Sequence, residues 1–124
     1  MVKSSRQTCL RIILRMDSRD IAYELDLIGG NLHWNDTLYT TYGYPRTEPA
    51  DTLEWWVDHI HPDDAMLLNQ AMDKLDDPHA TNWTVGYRFR KADNTYVKVY
   101  DSATVLRGAE GQPIRLIGLI SPVS

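Results

Sequence analysis

The last third of the sequence alternates between apolar and polar residues over three successive segments, and this pattern restricts the fold more than any other feature. The alternation covers residues 82–90, 96–106 and 114–120, and it has the two-residue period of a β-strand. An Asp-Asn pair at 93–94 and a Glu-Gly-Gln-Pro sequence at 110–113 separate the segments, and both are typical of turns. Because strands joined by tight turns run antiparallel, the pattern predicts an antiparallel sheet.

The preceding part of the sequence predicts a hairpin followed by helices. Residues 22–27 alternate like a strand, a Gly-Gly-Asn turn follows at 29–31, and residues 32–34 form a short return strand. Apolar residues then recur at helical spacing in three stretches, 37–42, 44–61 and 65–75. Helices that lie between two groups of strands favour an α+β fold with the helices on one face of the sheet.

Local signals predict where two of these helices begin and end. Asn35 and Asp36 are suitable N-cap residues for the helix at 37–42, and Gly43 is suited to end it. The His-Pro-Asp-Asp sequence at 61–64 is expected to open the longest helix. Proline is favoured at the first helical position, and acids in the first turn interact favourably with the helix dipole.

An amphipathic helix is expected at residues 4–16, ahead of the hairpin. Cys9, Ile13 and Met16 share one face at helical spacing. This helix either packs on its own domain or forms a dimer or domain-linking contact. The expected organisation is therefore an N-terminal amphipathic helix in 1–20 and a single folded domain in 21–124.

Composition excludes several classes of function. A chain of 124 residues suits one domain, and 17 acidic against 13 basic residues argue against binding to nucleic acid. One cysteine, Cys9, permits no internal disulfide and fits a reducing compartment. The apolar run Ile12-Ile13-Leu14 is far too short for a membrane span. We expect a soluble cytoplasmic domain.

Several short motifs occur in an order and at spacings that resemble one known family. Trp56 stands five residues before His61-Pro62-Asp63-Asp64. The other matching motifs are Trp34-Asn35, Gly43-Tyr44, Tyr87-Arg88, Asp93-Asn94, Tyr96, Gly111-Gln112-Pro113 and Gly118. Together they resemble the PAS family, in particular the PAS/PAC subgroup with a Trp…His-Pro-Asp-Asp centre, over residues 22–121. The chain departs from that pattern at Asn94, at Lys98 and at its ending, which reads Pro122-Val123-Ser124 where members carry Asp-Ile-Thr.

The resemblance implies a fold and a function for residues 21–124. It implies a five-stranded antiparallel sheet curled around a small cavity that short helices close. It also implies a sensory domain of a bacterial signalling protein, of the histidine kinase (two-component) or diguanylate cyclase type, that senses a small ligand. The alternative is a dimerisation or protein-interaction module without a ligand. In either case catalysis would belong to a separate output domain.

Family comparison also disfavours two cofactors, and the residues themselves disfavour a metal. Flavin photosensors of this fold need a cysteine just before the long helix, whereas Cys9 lies far upstream. Haem-binding members place a histidine on the long helix, and 63–75 contains none, although His79 follows it. His59 and His61 are explained better by capping and solvation than by metal binding. The carboxylate pairs at 63–64 and 76–77 flank helix ends, with no sign of an acid–base catalyst.

Asp101 is the strongest candidate site residue. If Val97, Val99, Ala103 and Val105 face inward, Asp101 shares their face. A carboxylate in an apolar interior is costly unless it is paired or hydrogen-bonded. It is therefore either a rim or bulge position with a local partner such as an arginine, or a polar anchor for a ligand. Its predicted neighbours in a ligand site are Tyr87, Phe89, Val99 and Leu116, with Tyr42 from the helical side.

The opposite face of the predicted sheet is also apolar, at Tyr96, Tyr100, Leu106, Ile117 and Leu119. A sheet face exposed to water is normally polar. We expect either the helix at 4–16 or a partner subunit to cover this face, which predicts a homodimer formed through the outer sheet face and the N-terminal helix.

Overall fold

A computed structural model describes residues 19–123, so the helix predicted at 4–16 lies outside the described residues. The chain forms β1 (Ile21–Asp26), β2 (Leu32–Trp34), α1 (Thr37–Thr40), α2 (Leu53–Asp58), α3 (Ala65–Asp73), a 3₁₀ turn (Lys74–Asp76), β3 (Asn82–Arg90), β4 (Tyr96–Arg107) and β5 (Pro113–Pro122). None of the helices within 19–123 is long and apolar enough to cross a membrane.

The strands form one five-stranded sheet in the order β2-β1-β5-β4-β3, and every neighbouring pair is antiparallel. This confirms the predicted α+β fold and its antiparallel sheet. The last strand lies in the middle of the sheet and joins the N-terminal hairpin to the two strands before it. As a result, β1 and β4 flank β5, although they are far apart in sequence.

The core lies between one sheet face and the short helices. It is rich in aromatic side chains, because Trp56 and Phe89 are fully buried and the rings of Tyr23, Trp34, Tyr42 and Trp55 pack against them. Each large apolar side chain that is fully buried stabilises the fold by roughly 1.5–3 kcal/mol. Packing of these rings therefore holds the helices on the sheet.

Two predicted helix boundaries are wrong. The first helix ends at Thr40 rather than 42, although the chain does pass through Gly43 with a positive φ of 86°. The longest helix begins at Ala65, so Pro62 is not its first residue and no acid lies in its first turn. Asp64 instead directs its carboxylate to Arg88, with Oδ2 2.8 Å from Nε and Oδ1 3.0 Å from Nη2.

The N-cap prediction for the first helix is also only half right. Asp36 occupies the N-cap position, but its side chain makes no capping hydrogen bond. It forms an ion pair with Arg46 at 3.1 Å. The Asn35 side chain donates to the carbonyl oxygen of Asp20 at 3.3 Å. The turn at 93–94 is confirmed, since Asn94 has the positive φ of 69° that asparagine tolerates.

Candidate functional site

Asp101 is completely buried and lies at the centre of a hydrogen-bonded cluster. The hydroxyl of Tyr23 donates to Oδ1 at 2.8 Å, and the hydroxyl of Tyr87 donates to Oδ2 at 2.9 Å. The indole Nε1–H of Trp56 donates to the Tyr87 oxygen at 3.2 Å. We call Asp101, Tyr23, Tyr87 and Trp56 the Asp101 cluster. The carboxylate on β4 is bonded to β1 and β3, and α2 joins the cluster through Tyr87.

The strand period directs Asp101 into this cluster. In β4 it lies opposite Val85 of β3 and Ile120 of β5, and it shares its face with the buried residues Val99 and Ala103. Tyr87 is two residues along β3 from Val85, which brings it diagonally across the strand pair to Asp101. The inward orientation predicted for Asp101 is therefore what the fold shows.

Tyr23 reaches the carboxylate from two strands away, because β5 lies between β1 and β4. The residue of β5 opposite Tyr23 is Gly118, which also lies opposite Ala103 of β4. A Cβ atom at position 118 would come within 2.3 Å of the Tyr23 hydroxyl. Because Gly118 has no side chain, the Tyr23 ring can lie over β5 and reach Asp101.

The electrostatics of the cluster follow mainly from the burial of Asp101. Burial raises the pKa of Asp101 to about 7, and the hydrogen bonds from Tyr23 and Tyr87 oppose that rise. Burial and then the charge of Asp101 raise the pKa of both tyrosines well above 10, so both remain protonated donors. Asp101 is absent from the ion pairs formed within residues 19–123. Neutral and ionised Asp101 are therefore both populated near neutral pH.

Aromatic rings fill the space beside the cluster. The Tyr23 and Trp56 ring centroids are 4.6 Å apart, and Trp34 lies 5.7 Å from Trp56 and 6.0 Å from Tyr23. Elsewhere in the same core, Tyr42 packs on Phe89 with centroids 5.7 Å apart. The rings of Tyr23, Trp56 and Trp34 thus form one packed group that includes two members of the cluster.

Every residue predicted for the site is buried, but the structure joins only some of them. Asp101 contacts Tyr87, and Tyr42 contacts Phe89. Val99 lies next along the inward face of β4, whereas Leu116 pairs with Leu25 and Val105 elsewhere in the same core. The arginine suggested as a local partner of Asp101 is absent from its described contacts, and two tyrosines take that place.

Sequence reasoning missed three residues of the site: Tyr23, Trp56 and Gly118. Tyr23 was treated only as a position of an alternating strand, and Trp56 only as an apolar helix position and a motif residue of the family pattern. The available signal was their polar atoms, since a buried tyrosine or tryptophan usually finds a hydrogen-bond partner. Gly118 was recognised only as a late glycine of the family pattern.

Three buried polar atoms have no hydrogen-bond partner among the described residues: the Tyr42 hydroxyl, Asn35 Oδ1 and Trp83 Nε1. Burial, followed by the charge of Asp20, raises the pKa of Tyr42 to about 12. Native proteins leave few such atoms unpaired, and each one requires an explanation.

His59 and His61 have local roles. The His59 ring stacks on Trp55 with centroids 3.8 Å apart, and its Nδ1 lies 2.6 Å from the Trp55 carbonyl oxygen. His61 Nδ1 accepts from the backbone N–H of Asp63 at 3.1 Å. Within residues 19–123, no three His, Cys, Asp or Glu side chains converge as metal ligands would.

Two hollows on the surface lie away from the Asp101 cluster. The larger, about 620 Å³, is lined by Gly30, Thr52, Leu53, Glu54, Val57 and Asp58. The smaller, about 450 Å³, lies beside Arg107, whose guanidinium donates to the carbonyl oxygens of Leu75, Asp77, Ala80 and Gly111. Because these bonds engage Arg107 with the backbone, it holds the 3₁₀ turn to β4 and is not a free cation.

Comparison with known proteins agrees with this architecture. The sequence matches the family described as the PAS fold over residues 31–120, and the chain belongs to the PAS family. No curated protein matches the sequence. PAS domains are sensory modules rather than catalysts.

Solved structures resemble the whole sheet and its helices. The N-terminal domain of a Marinobacter aquaeolei diguanylate cyclase with a PAS/PAC sensor superposes with a TM-score of 0.75 at 20% identity, over 85% of this chain and 95% of that chain. A Burkholderia thailandensis sensory box histidine kinase/response regulator gives 0.71 at 21% identity, over 94% and 84%. A PAS domain from Colwellia psychrerythraea gives 0.66 at 19% identity, over 94% and 95%. Such low identities establish the shared fold alone.

Proposed function

We propose that this chain is the sensory domain of a cytoplasmic bacterial signalling protein of the histidine kinase or diguanylate cyclase type. In this proposal a small ligand binds between the sheet and the helices and is recognised at the Asp101 cluster. The observation that carries the proposal is a carboxylate that is fully buried and has no cation beside it in residues 19–123.

A structural role explains this carboxylate less well than a functional one. An apolar residue of similar size would stabilise the core without the penalty of removing a charge from water. Buried groups with strongly shifted pKa values are concentrated at functional sites. The cluster also links β1, β3 and β4 with α2. A ligand that competes for Asp101 would release tyrosines on two different strands.

The proposed output type comes from the structural neighbours. One is a domain of a diguanylate cyclase with a PAS/PAC sensor, and another is a sensory box histidine kinase/response regulator. Because PAS domains are sensory modules, we assign the cluster to recognition and place catalysis in a separate output domain.

Thermal shift measurements with a broad set of metabolites test the proposed ligand. A ligand that binds the native state raises its melting temperature by mass action. We expect a binder to raise the melting temperature of the wild type, and to have little effect on Asp101→Asn measured against its own ligand-free value. The matched control is Asp51→Asn, which makes the same change at an exposed position and should respond like the wild type. A set in which no compound raises the melting temperature of the wild type would refute the proposal.

A second function, dimerisation without a ligand, is favoured by the outer sheet face. Tyr96 and Tyr100 are 39% and 51% exposed there, while Leu106 and Leu119 are half-buried. Light scattering before and after Tyr100→Glu would test it, because a charge in the centre of such an interface should give monomers. Gln70→Glu adds the same charge at an exposed position of α3 and should leave the mass unchanged. A wild-type monomer at high concentration would refute self-association.

A further inference from the structure

The hydrogen bonds of the Asp101 cluster have a fixed direction on one side only. The indole Nε1–H of Trp56 can only donate, so the Tyr87 oxygen to which it bonds must accept. The Tyr87 hydroxyl hydrogen is then directed to Asp101 Oδ2. On the other side, the Tyr23 hydroxyl donates to Oδ1, and among its described contacts its oxygen accepts from no donor. The Tyr23 bond is therefore the one that can run in either direction.

This difference becomes important when Asp101 takes up a proton. An ionised carboxylate only accepts hydrogen bonds, whereas a neutral carboxyl group has an O–H that needs an acceptor. Asp101 is completely buried, and a buried donor without a partner is costly. Because the Tyr87 oxygen already accepts from Trp56, the Tyr23 oxygen is the acceptor without a competing donor.

The surroundings make Asp101 the group of the cluster that changes charge near neutral pH. Burial raises the pKa of Tyr23 on β1 and of Tyr87 on β3 well above 10, and it raises the pKa of Tyr42, on the helical side, to about 12. The residue opposite Asp101 on β5 is apolar, and α2 contributes an indole. The titratable side chain of α3, which packs on β3, is Asp73, and it is exposed.

We infer that protonation is a regulatory signal in this domain: a proton added to Oδ1 of Asp101 reverses the hydrogen bond with Tyr23 and keeps the chain of bonds from Trp56 through Tyr87 to the carboxyl group. The proton comes from solvent, and the Tyr23 hydroxyl hydrogen turns away about its C–O bond. The inference rests on the proposed sensory function and adds the proton as a regulator of the same cluster.

Reversal of this bond changes how β1 is held to β4. In the ionised form Tyr23 donates to a charged acceptor, and such hydrogen bonds are roughly twice as strong as neutral ones. In the neutral form Tyr23 only accepts, and its hydroxyl hydrogen loses its acceptor. The attachment of β3 and α2 to the carboxyl group keeps its direction. The effect of the proton is therefore directed to the first strand of the sheet.

An NMR titration of the intact chain across neutral pH tests this direction. The reporters are the carboxyl carbon of Asp101, the ring carbon Cζ of Tyr23 and the indole N–H of Trp56. The carboxyl carbon should titrate with a midpoint of about 7. The Tyr23 carbon should follow the same midpoint, because its hydroxyl changes from donor to acceptor. The Trp56 signal should stay nearly constant, because its bond to Tyr87 is kept.

Variants assign the response to individual hydroxyl groups. Tyr23→Phe removes the preferred acceptor, so the carboxyl O–H must turn to the Tyr87 oxygen and compete there with Trp56. The indole signal should then become pH-dependent, with the midpoint of the carboxyl carbon. Tyr44→Phe is the matched control, since it removes a buried hydroxyl that donates to a carbonyl oxygen of β3 outside the cluster, and it should titrate like the wild type. Asp101→Asn should abolish the pH dependence of both remaining reporters.

The wild-type signals decide the inference even if Tyr23→Phe does not fold. A Trp56 signal that follows the Asp101 midpoint while Tyr23 stays constant would mean that the Tyr87 bond reverses instead, and would overturn the inference. A carboxyl carbon that does not titrate across neutral pH would overturn it as well. Since these measurements use no ligand, their failure leaves the proposed ligand to be decided by the thermal shift set. A set without a binder would in turn leave the titration result unchanged.

Discussion

Asp101 and Asp64 both form hydrogen bonds to side chains of β3, but their electrostatic surroundings are opposite. Asp64 pairs with Arg88 of β3 at the edge of the helical layer, and its hydrogen bonds to Arg88 lower its pKa to about 2. Asp101 meets Tyr87 of the same strand, and burial raises its pKa to about 7. One carboxylate is always charged near neutral pH, and the other is divided between two forms.

The difference between the two aspartates lies in whether a cation compensates the carboxylate charge. The Asp64 side chain keeps 15% exposure and has a cation beside it, so its charge is compensated and its geometry stays fixed. Within residues 19–123 the donors to Asp101 are the neutral hydroxyls of Tyr23 and Tyr87, which stabilise its charge without cancelling it. We therefore expect the first pair to secure the start of α3 and the Asp101 cluster to respond to protons and ligands.

The largest expected effect is the pH dependence that Asp101 gives to stability. Its pKa in the folded chain lies above the ordinary value of 3.8, so its contribution is fully present below about pH 4 and is lost as pH rises through about 7. About three pKa units correspond to roughly 4 kcal/mol of the free energy of unfolding. Urea denaturation at a series of pH values between 4 and 8 measures this change.

The comparison variant is Asp101→Asn, which cannot ionise. Relative to this variant, the wild type should lose about 4 kcal/mol over that pH range. Subtracting the two curves removes the contributions of the other acids, which both chains share. Parallel curves would show that Asp101 titrates normally and would break the contrast with Asp64.

The second-largest expected effect is the loss of stability when a side chain is added at Gly118. In Gly118→Ala the new methyl group would overlap the Tyr23 hydroxyl and ring, so Tyr23 must leave Asp101 or the strands must shift. Overpacking together with a lost hydrogen bond to a buried charge predicts a destabilisation of about 3 kcal/mol, measured by urea denaturation.

Gly86→Ala is the matched control for that substitution. A Cβ atom at Gly86 would lie 3.5 Å from the nearest atom of Tyr100, which is an ordinary contact. It should therefore leave stability nearly unchanged or raise it slightly, because alanine restricts the unfolded chain. Equal losses in the two variants would mean that any side chain disturbs this sheet and that Gly118 has no particular role.

The sequence predicted the parts of this site that depend on local pattern. Strand alternation placed Asp101 on the inward face together with Val99 and Ala103, since a period of two fixes the face of every residue in a strand. The same reasoning correctly located Tyr87 and Phe89 in β3. These predictions needed no knowledge of how the strands are ordered.

The rest of the site depends on contacts between distant residues. Tyr23 is 78 positions from Asp101, and they meet only because β5 inserts between β1 and β4 with a glycine at the crossing. Turn sequences predict which strands are neighbours in the chain but not that order. The start of α3 was mispredicted for a similar reason: Asp64 bonds to Arg88, 24 residues away, and not to its own helix.

The smallest expected effect is at Asp64 itself, and its sign is opposite to that at Asp101. Because pairing lowers its pKa, Asp64 stabilises the fold above its ordinary value of 3.8, and this contribution is lost as pH falls toward about 2. Arg88 is partly exposed, so solvent weakens the pair, and Asp64→Asn should cost less stability at pH 7 than Gly118→Ala does. Asp63→Asn removes the adjacent, 78% exposed carboxylate and serves as its control. If Asp64→Asn left the fall in stability at low pH unchanged, the ion pair with Arg88 would contribute nothing to stability. Asp64 would then stabilise the fold no more than Asp63 does.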